Sequence, residues 1–211
     1  MKYRLKSIVW EITLACCFSC KYCGSSGGKA RENELTTEEC LSVVRQLADL
    51  SCQRVNLIGG EVFMRKDWAE IVRALREQGI RVTIITNGFL FREELLETLR
   101  SLDIESIAVS LDGPREIHDK YRQEGSYERA VRAIEVLTKA DIPVSVISTL
   151  NAENVKTLPV LFETGEEGSL GHSDTYLLVK VEQEGLRGQL LDVKITGVDG
   201  ERLLGVLRFE N

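Results

Sequence analysis

The feature that most constrains this chain is a strand-then-helix alternation repeated five times. The runs "LKSIVWEITL", "RVNLIGG", "RVTIITNG", "ESIAVSLDGP" and "IPVSVISTLN" are short and rich in β-branched residues. Stretches of helical spacing separate them. "LTTEECLSVVRQLADL" opens with Thr36 and Glu39 at capping-box spacing and sets Cys40, Val43, Val44 and Leu47 on one face. "KDWAEIVRALREQG" starts at Asp67 as its cap and stops at Gly79. "REELLETLRS" and "SYERAVRAIEVLTKA" are the next helices, and "AENVKTLPVLFETG" reads as a fifth helical segment weakened by Pro159. Strands joined through helices run parallel with right-handed crossovers, in a sheet expected to be buried on both faces. The fold class is therefore α/β: a doubly wound sheet or an open, partial (βα) barrel of about five parallel strands.

In both architectures ligands gather where strands end and loops begin. The residues placed there are a cysteine loop after the first strand, Gly59, Gly60 and Glu61 after the second, and Thr86, Asn87 and Gly88 after the third. Ser110, Asp112 and Gly113 follow the fourth strand, and Thr149 and Asn151 the fifth. Polar groups and glycines collect at one rim.

The cysteine loop carries the most specific chemistry. Lys2, Arg4 and Lys6 ahead of an apolar stretch mimic a signal peptide, but Glu11 interrupts it, so the opening reads as a strand and the chain as cytoplasmic. No uncharged apolar run approaches the roughly 20 residues of a membrane helix. The six cysteines are then expected to stay reduced, which favours metal or redox chemistry over disulfides. The net charge of -6 argues against a chain-wide basic footprint for nucleic acid. Cys16, Cys20 and Cys23 form C-x-x-x-C-x-x-C, a soft ligand set for zinc, copper(I) or an iron–sulfur cluster. Zinc would need a fourth Cys or His, and Cys17, Cys40, Cys52, His118 and His172 are poorly placed to supply it. Cys17, Cys40 and Cys52 are expected to pack as small apolar groups, and His118 to sit solvated on a helix. The plain alternatives are a tight turn at Gly59-Gly60 and ordinary turn chemistry at Asp112-Gly113-Pro114 and Asn87-Gly88.

Taken in order, the C-x-x-x-C-x-x-C loop with Tyr22 before its last cysteine, "GGE" after the second strand and "SLDGP" after the fourth resemble the radical S-adenosylmethionine (radical SAM) superfamily. The resemblance spans roughly residues 5 to 164 and is closest to the peptide and protein maturases, which include coenzyme PQQ and sulfatase-maturation enzymes. It implies that Cys16, Cys20 and Cys23 each ligate one iron of a [4Fe-4S] cluster, with the fourth iron chelated by the amine and carboxylate of S-adenosylmethionine. Reductive cleavage would then give methionine and a 5′-deoxyadenosyl radical that abstracts hydrogen from a peptide or protein, with the electron drawn from an external donor. On the same resemblance, Gly59 and Gly60 let the backbone approach the methionine moiety, Glu61 pairs with its ammonium, and Tyr22 lies beside the adenine. Ser110, Asp112, Asn87 and Asn151 are candidates for the ribose and carboxylate. No catalytic residue is assigned.

After Gly165 the pattern changes to short β-like runs separated by glycines. Residues 1–164 are expected to form a partial radical SAM core, 165–171 a linker and 172–211 a small all-β segment. The quoted runs "GHSDTYLLVKVE" and "LRGQLLDVKITGVDGERLLGVL" resemble the second part of a TRAM domain, an RNA-binding β-barrel, with its first strand missing. Lys180, Arg187, Lys194, Arg202 and Arg208 face seven carboxylates in this tail, so attraction to RNA phosphates is weak. The alternatives to a peptide-modifying enzyme are a tRNA-modifying enzyme of the methylthiotransferase type and a truncated, non-catalytic iron–sulfur or zinc protein.

Overall fold

All five strand-like runs form strands in the computed structural model, which describes residues 5–151, 154, 157–163, 168–173, 178–199 and 202–207. They are β1 (Ser7–Glu11), β2 (Arg54–Ile58), β3 (Arg81–Thr86), β4 (Ser106–Ser110) and β5 (Val144–Ile147). Helix α1 (Thr37–Asp49) follows β1, α2 (Trp68–Glu77) follows β2 and α3 (Leu95–Ser101) follows β3; α4 (Arg115–Tyr121) and α5 (Ser126–Lys139) lie between β4 and β5. Lys2, Arg4 and residues 165–167 of the expected linker lie outside the described residues.

The sheet order β1-β2-β3-β4-β5 follows the chain without reversal. Crossovers of one hand then place every helix on the same face, so the sheet is the open, partial barrel rather than a doubly wound one. Burial agrees in β2 and β3, where only one face is closed, whereas β4 from Ile107 to Ser110 is buried on both faces as expected. Val55 and Leu57 of β2 and Val82 and Ile84 of β3 are fully buried, as are Ile71, Val72 and Leu75 of α2. Arg54, Asn56 and Thr83, which alternate with them, are half-buried on the inner face. There polar groups pair with one another: Thr83 Oγ1 lies 3.2 Å from Ser106 Oγ, and Asn56 Nδ2 donates to Ser7 Oγ at 3.3 Å.

The caps divide. Thr36 and Glu39 complete the expected box, Glu39 N–H donating to Thr36 Oγ1 and Thr36 N–H to Glu39 Oε2. Asp67 occupies the cap position of α2 but makes no side-chain cap bond. Its carboxylate takes a bidentate pair from Arg65 (2.7 and 2.9 Å) and the Thr37 hydroxyl (2.7 Å), charge-assisted bonds stronger than a neutral cap. Arg65 also donates to the carbonyls of Ile12 and Leu35, which pins the chain where it leaves β1.

The end of the chain forms its own closed five-stranded barrel, ordered β10-β8-β7-β6-β9. Its strands are β6 (Thr157–Phe162), β7 (Ser169–Ser173), β8 (Leu178–Val181), β9 (Leu190–Asp199) and β10 (Arg202–Leu207), around Val160, Phe162, Val179, Val181, Leu186 and Val193. Two readings are corrected. The fifth "helical" segment contains β6, paired antiparallel with β7 and β9, and Ser169 to Gly171 of the expected linker belong to β7, so the all-β unit starts before residue 172. Pro159 cannot continue a helix but is accommodated opposite Asp192 in the β6–β9 pairing. With β6 in place the barrel closes without a missing strand. The chain divides into two compact units, Met1–Val109 with Arg129–Val144, and Ser110–Glu128 with Ser145–Asn211.

Candidate functional site

The parallel β1–β2 pairing continues beyond both strands and roots the cysteine loop. Ile12 N–H donates to Ile58 O (3.0 Å), Gly60 N–H to Thr13 O (2.8 Å) and Glu61 N–H to Ala15 O (2.7 Å). A Cβ on Gly60 would overlap the carbonyl oxygens of Leu14 and Ala15, and one on Gly59 would come within 2.8 Å of Thr13 O. The chain itself fills the space these glycines leave. Both glycines are thus required for close backbone packing against the loop root. The loop returns through Cys16 N–H to Gly28 O (2.9 Å) and Gly28 N–H to Leu14 O (2.8 Å). Glu34 fastens it from outside, one carboxylate oxygen accepting from Leu14 N–H, Thr13 Oγ1 and Arg31 N–H. Burial pushes the Glu34 carboxyl upward, but these hydrogen bonds outweigh it and hold it below the ordinary range.

Cys16, Cys20 and Cys23 are half-buried and none is in a disulfide. Phe18 N–H points at Cys16 Sγ (3.4 Å) and Gly27 N–H at Cys23 Sγ (3.3 Å), donors suited to sulfurs that carry negative charge. Three thiolates supplied by one short loop are a soft donor set, and they match a cluster that takes one protein ligand on each of three irons. Tyr22 is half-buried beside Cys23 in the chain. Cys40 and Cys52 are buried as expected, whereas Cys17 is half-buried and hydrogen-bonded to Cys16, a contact that with burial pushes its thiol far up.

Glu61 sits at the centre of this region, 1% exposed. Its Oε1 accepts from Thr86 Oγ1 (2.8 Å) and Phe63 N–H (3.2 Å), and Oε2 from Asn87 N–H (2.8 Å). All three partners are neutral. Burial therefore dominates and lifts its carboxyl to about 7, against the pull of the Asn87, Thr86 and Phe63 donors. The side-chain amide of Asn87 faces the sulfurs of Cys17 (3.6 Å) and Cys16 (3.9 Å). The first three strand ends thus bring Cys16, Gly60, Glu61 and Asn87 together.

The fourth and fifth strand ends carry a second cluster. Asp112 is wholly buried, its carboxylate held bidentately by Arg122 (2.5 and 3.0 Å) and by Thr149 N–H (2.9 Å). Asn154 Nδ2 donates to the carbonyls of Asp112 and Thr149, while Asn151 and Asn154 exchange backbone-to-side-chain bonds. Asp112 thereby ties its own loop together. Ser110, the last residue of β4, is buried. His118 is also buried, not solvated: its Nδ1 accepts from Asp112 N–H (3.1 Å), and burial first, then the Arg122 charge, pushes its imidazole down to about 4.

A family model for the radical SAM superfamily matches residues 10–164, from β1 through the second cluster. The chain belongs to the radical SAM superfamily. It is 34% identical over 200 residues to the AdoMet-dependent heme synthase of Methanosarcina barkeri, covering 93% of this chain and 56% of the synthase. It is 36% identical over 146 residues to the mycofactocin maturase MftC of Mycolicibacterium smegmatis, covering 67% of this chain and 37% of that protein. This radical SAM chain thus spans about half, or less, of these curated relatives. Its fold is also that of Streptococcus suis SuiB, solved with S-adenosylmethionine and with the precursor peptide SuiA, at TM-scores of 0.62 and 0.63, 18% identity, 72% of this chain and 36% and 35% of those chains. No helix of the described residues is long and apolar enough to cross a membrane.

Sequence reading passed over Glu34, Arg122 and Asn154. The Asn151-x-x-Asn154 spacing is a local signal for reciprocal side-chain capping, whereas nothing near Glu34 points to a loop root twenty residues earlier. Glu61 supplies a pH test. Its carboxyl lies higher in the folded chain than its ordinary 4.5, so the folded state binds the proton more tightly, and stability from this group falls as pH rises from about 4.5 through 7. Glu61→Gln removes that dependence. The unfolding free energy of the variant relative to the parent is expected to rise by about 3 kcal/mol between pH 4.5 and 8, as read from denaturant melts across pH. A pH-independent difference would show that Glu61 titrates normally.

Proposed function

We propose that this chain is the catalytic core of a radical SAM enzyme that modifies peptides or proteins. It would hold a [4Fe-4S] cluster on Cys16, Cys20 and Cys23, with S-adenosylmethionine at the fourth iron. The observation that carries this reading is the juxtaposition of the Cys16 thiol, already met by the Phe18 N–H, with Glu61, a buried carboxylate whose hydrogen-bond partners are all neutral. When bound, the cluster supplies the electron that cleaves S-adenosylmethionine to methionine and a 5′-deoxyadenosyl radical, which removes hydrogen from the substrate.

The chain's own residues have defined tasks in this reading. The three cysteines leave one iron without a protein ligand. Glu61 takes the ammonium of S-adenosylmethionine, which completes its charge and displaces its proton. Tyr22 lies beside the adenine, Ser110 and Asn151 serve the ribose and carboxylate, and Asp112 with Arg122 holds the loop on which Ser110 ends. A low-potential electron donor acts from outside, and a reducing cytoplasm suits both thiols and cluster.

MftC and SuiB support a peptide substrate by their names and bound partner. A second reading, an iron porphyrin substrate, is favoured by the match to the heme synthase over 93% of this chain. RNA is less favoured: in the barrel, His172 pairs with Glu163 and Lys180 with Glu182, which spends basic groups on carboxylates. The test is 5′-deoxyadenosine formation by the reduced, reconstituted protein with a deuterated peptide library or an iron porphyrin. Deuterium in 5′-deoxyadenosine from peptides alone is expected. Stimulation by the porphyrin alone would move the assignment to the second reading.

A further inference from the structure

Asn87, at the end of β3, serves the carboxylate and the thiols at once. Its backbone N–H donates to Glu61 Oε2 at 2.8 Å, while its side-chain Nδ2 lies 3.6 Å from Cys17 Sγ and 3.9 Å from Cys16 Sγ. The orientation of the carboxamide is fixed by its neighbours. Oδ1 accepts Phe89 N–H at 2.9 Å, so the NH2 end has to face the sulfurs. The Phe89 ring in turn packs edge-on against Phe18, 5.1 Å between centroids, and Phe18 N–H donates to Cys16 Sγ. Asn87, Phe89, Phe18 and Cys16 therefore form a closed ring of contacts. At 6% exposure, Asn87 directs a dipole at sulfur with little water to compete.

We infer that Asn87 is a positioning residue for Cys16, whose carboxamide orients that sulfur and raises the reduction potential of the cluster it ligates. This rests on the cluster reading above. An N–H aimed at a ligating sulfur stabilises negative charge on the cluster, and the reduced cluster carries one more negative charge than the oxidised. The same residue grips Glu61, so the side chain that sets the electron's energy is fixed to the group proposed to take the ammonium.

The test uses Asn87→Asp and Asn87→Leu in protein reconstituted with iron and sulfide, titrated potentiometrically with detection by electron paramagnetic resonance. N87D keeps the oxygen that accepts Phe89 N–H but removes the donor to sulfur. At a fixed applied potential its reduced-to-oxidised ratio is expected to fall at least tenfold, 59 mV for one electron, with iron per chain retained and the thermal midpoint lowered by the added buried charge. N87L, which adds no charge, should shift the same way by less. Ratios within twofold of the parent in both variants, with iron retained, overturn the inference. If neither variant takes up iron, parent protein labelled with 15N-asparagine decides: hyperfine coupling from the label to the cluster supports the assignment, and its absence overturns it. A parent chain that binds no cluster fails the cluster reading itself, an outcome distinct from an unchanged potential.

Discussion

Cys20→Ala is expected to reduce S-adenosylmethionine cleavage to background while leaving the chain folded. Cys20 contributes a half-buried thiol, and its carbonyl, which accepts Cys23 N–H at 3.2 Å, is retained in alanine. The loop root is held elsewhere, by Glu34, Gly28 and the Gly60–Thr13 bond. Stability should therefore change by about 1 kcal/mol or less. Two thiolates remain, too few to hold a cluster that takes one protein ligand on each of three irons. Iron and acid-labile sulfide should fall together with activity, measured on anaerobically reconstituted protein. A variant that cleaves S-adenosylmethionine at the parental rate would contradict the ligand assignment.

The largest effect on stability is expected from Asp112→Ala. Asp112 is fully buried and Arg122 is 12% exposed, so the substitution leaves a guanidinium in the interior without its carboxylate and Thr149 N–H without its acceptor. Removing one partner of a buried ion pair costs about 3–5 kcal/mol, a large share of the roughly 5–15 kcal/mol that stabilises a domain. The thermal midpoint should drop by on the order of 10 °C. The alternative role implied by family resemblance, a direct contact to the ribose, predicts the reverse: an unchanged midpoint with weakened S-adenosylmethionine binding. Calorimetry of the variant, with and without the cofactor, separates the two.

The legibility of this chain followed the range of the interactions involved. The five strands and the Thr36–Glu39 cap were readable because their signals lie within a few residues. The C-x-x-x-C-x-x-C spacing is equally local. The role of Glu61 was only half readable: "GGE" marks a strand end, but its bonds to Thr86 and Asn87 depend on β2 and β3 lying side by side, 25 and 26 residues apart in the chain. Asp67 was misread because nearby sequence offered it a local task, a cap, whereas Arg65 competes for its carboxylate with stronger, charge-assisted bonds; the Arg122 pair of Asp112 was passed over for the same reason. The segment Thr157–Phe162 was misread because a short apolar run fits helix and strand alike, and its pairing with Leu190–Lys194 is invisible to periodicity.

The central claim is that Cys16, Cys20 and Cys23 hold a four-iron cluster with one iron open to S-adenosylmethionine. Electron paramagnetic resonance of the anaerobically reconstituted, reduced protein, recorded with and without S-adenosylmethionine, tests it most directly. The account predicts a four-iron signal that changes when S-adenosylmethionine is added. No cluster signal, or one indifferent to the cofactor, would contradict it and leave the cysteine loop as a fold relic or a different metal site.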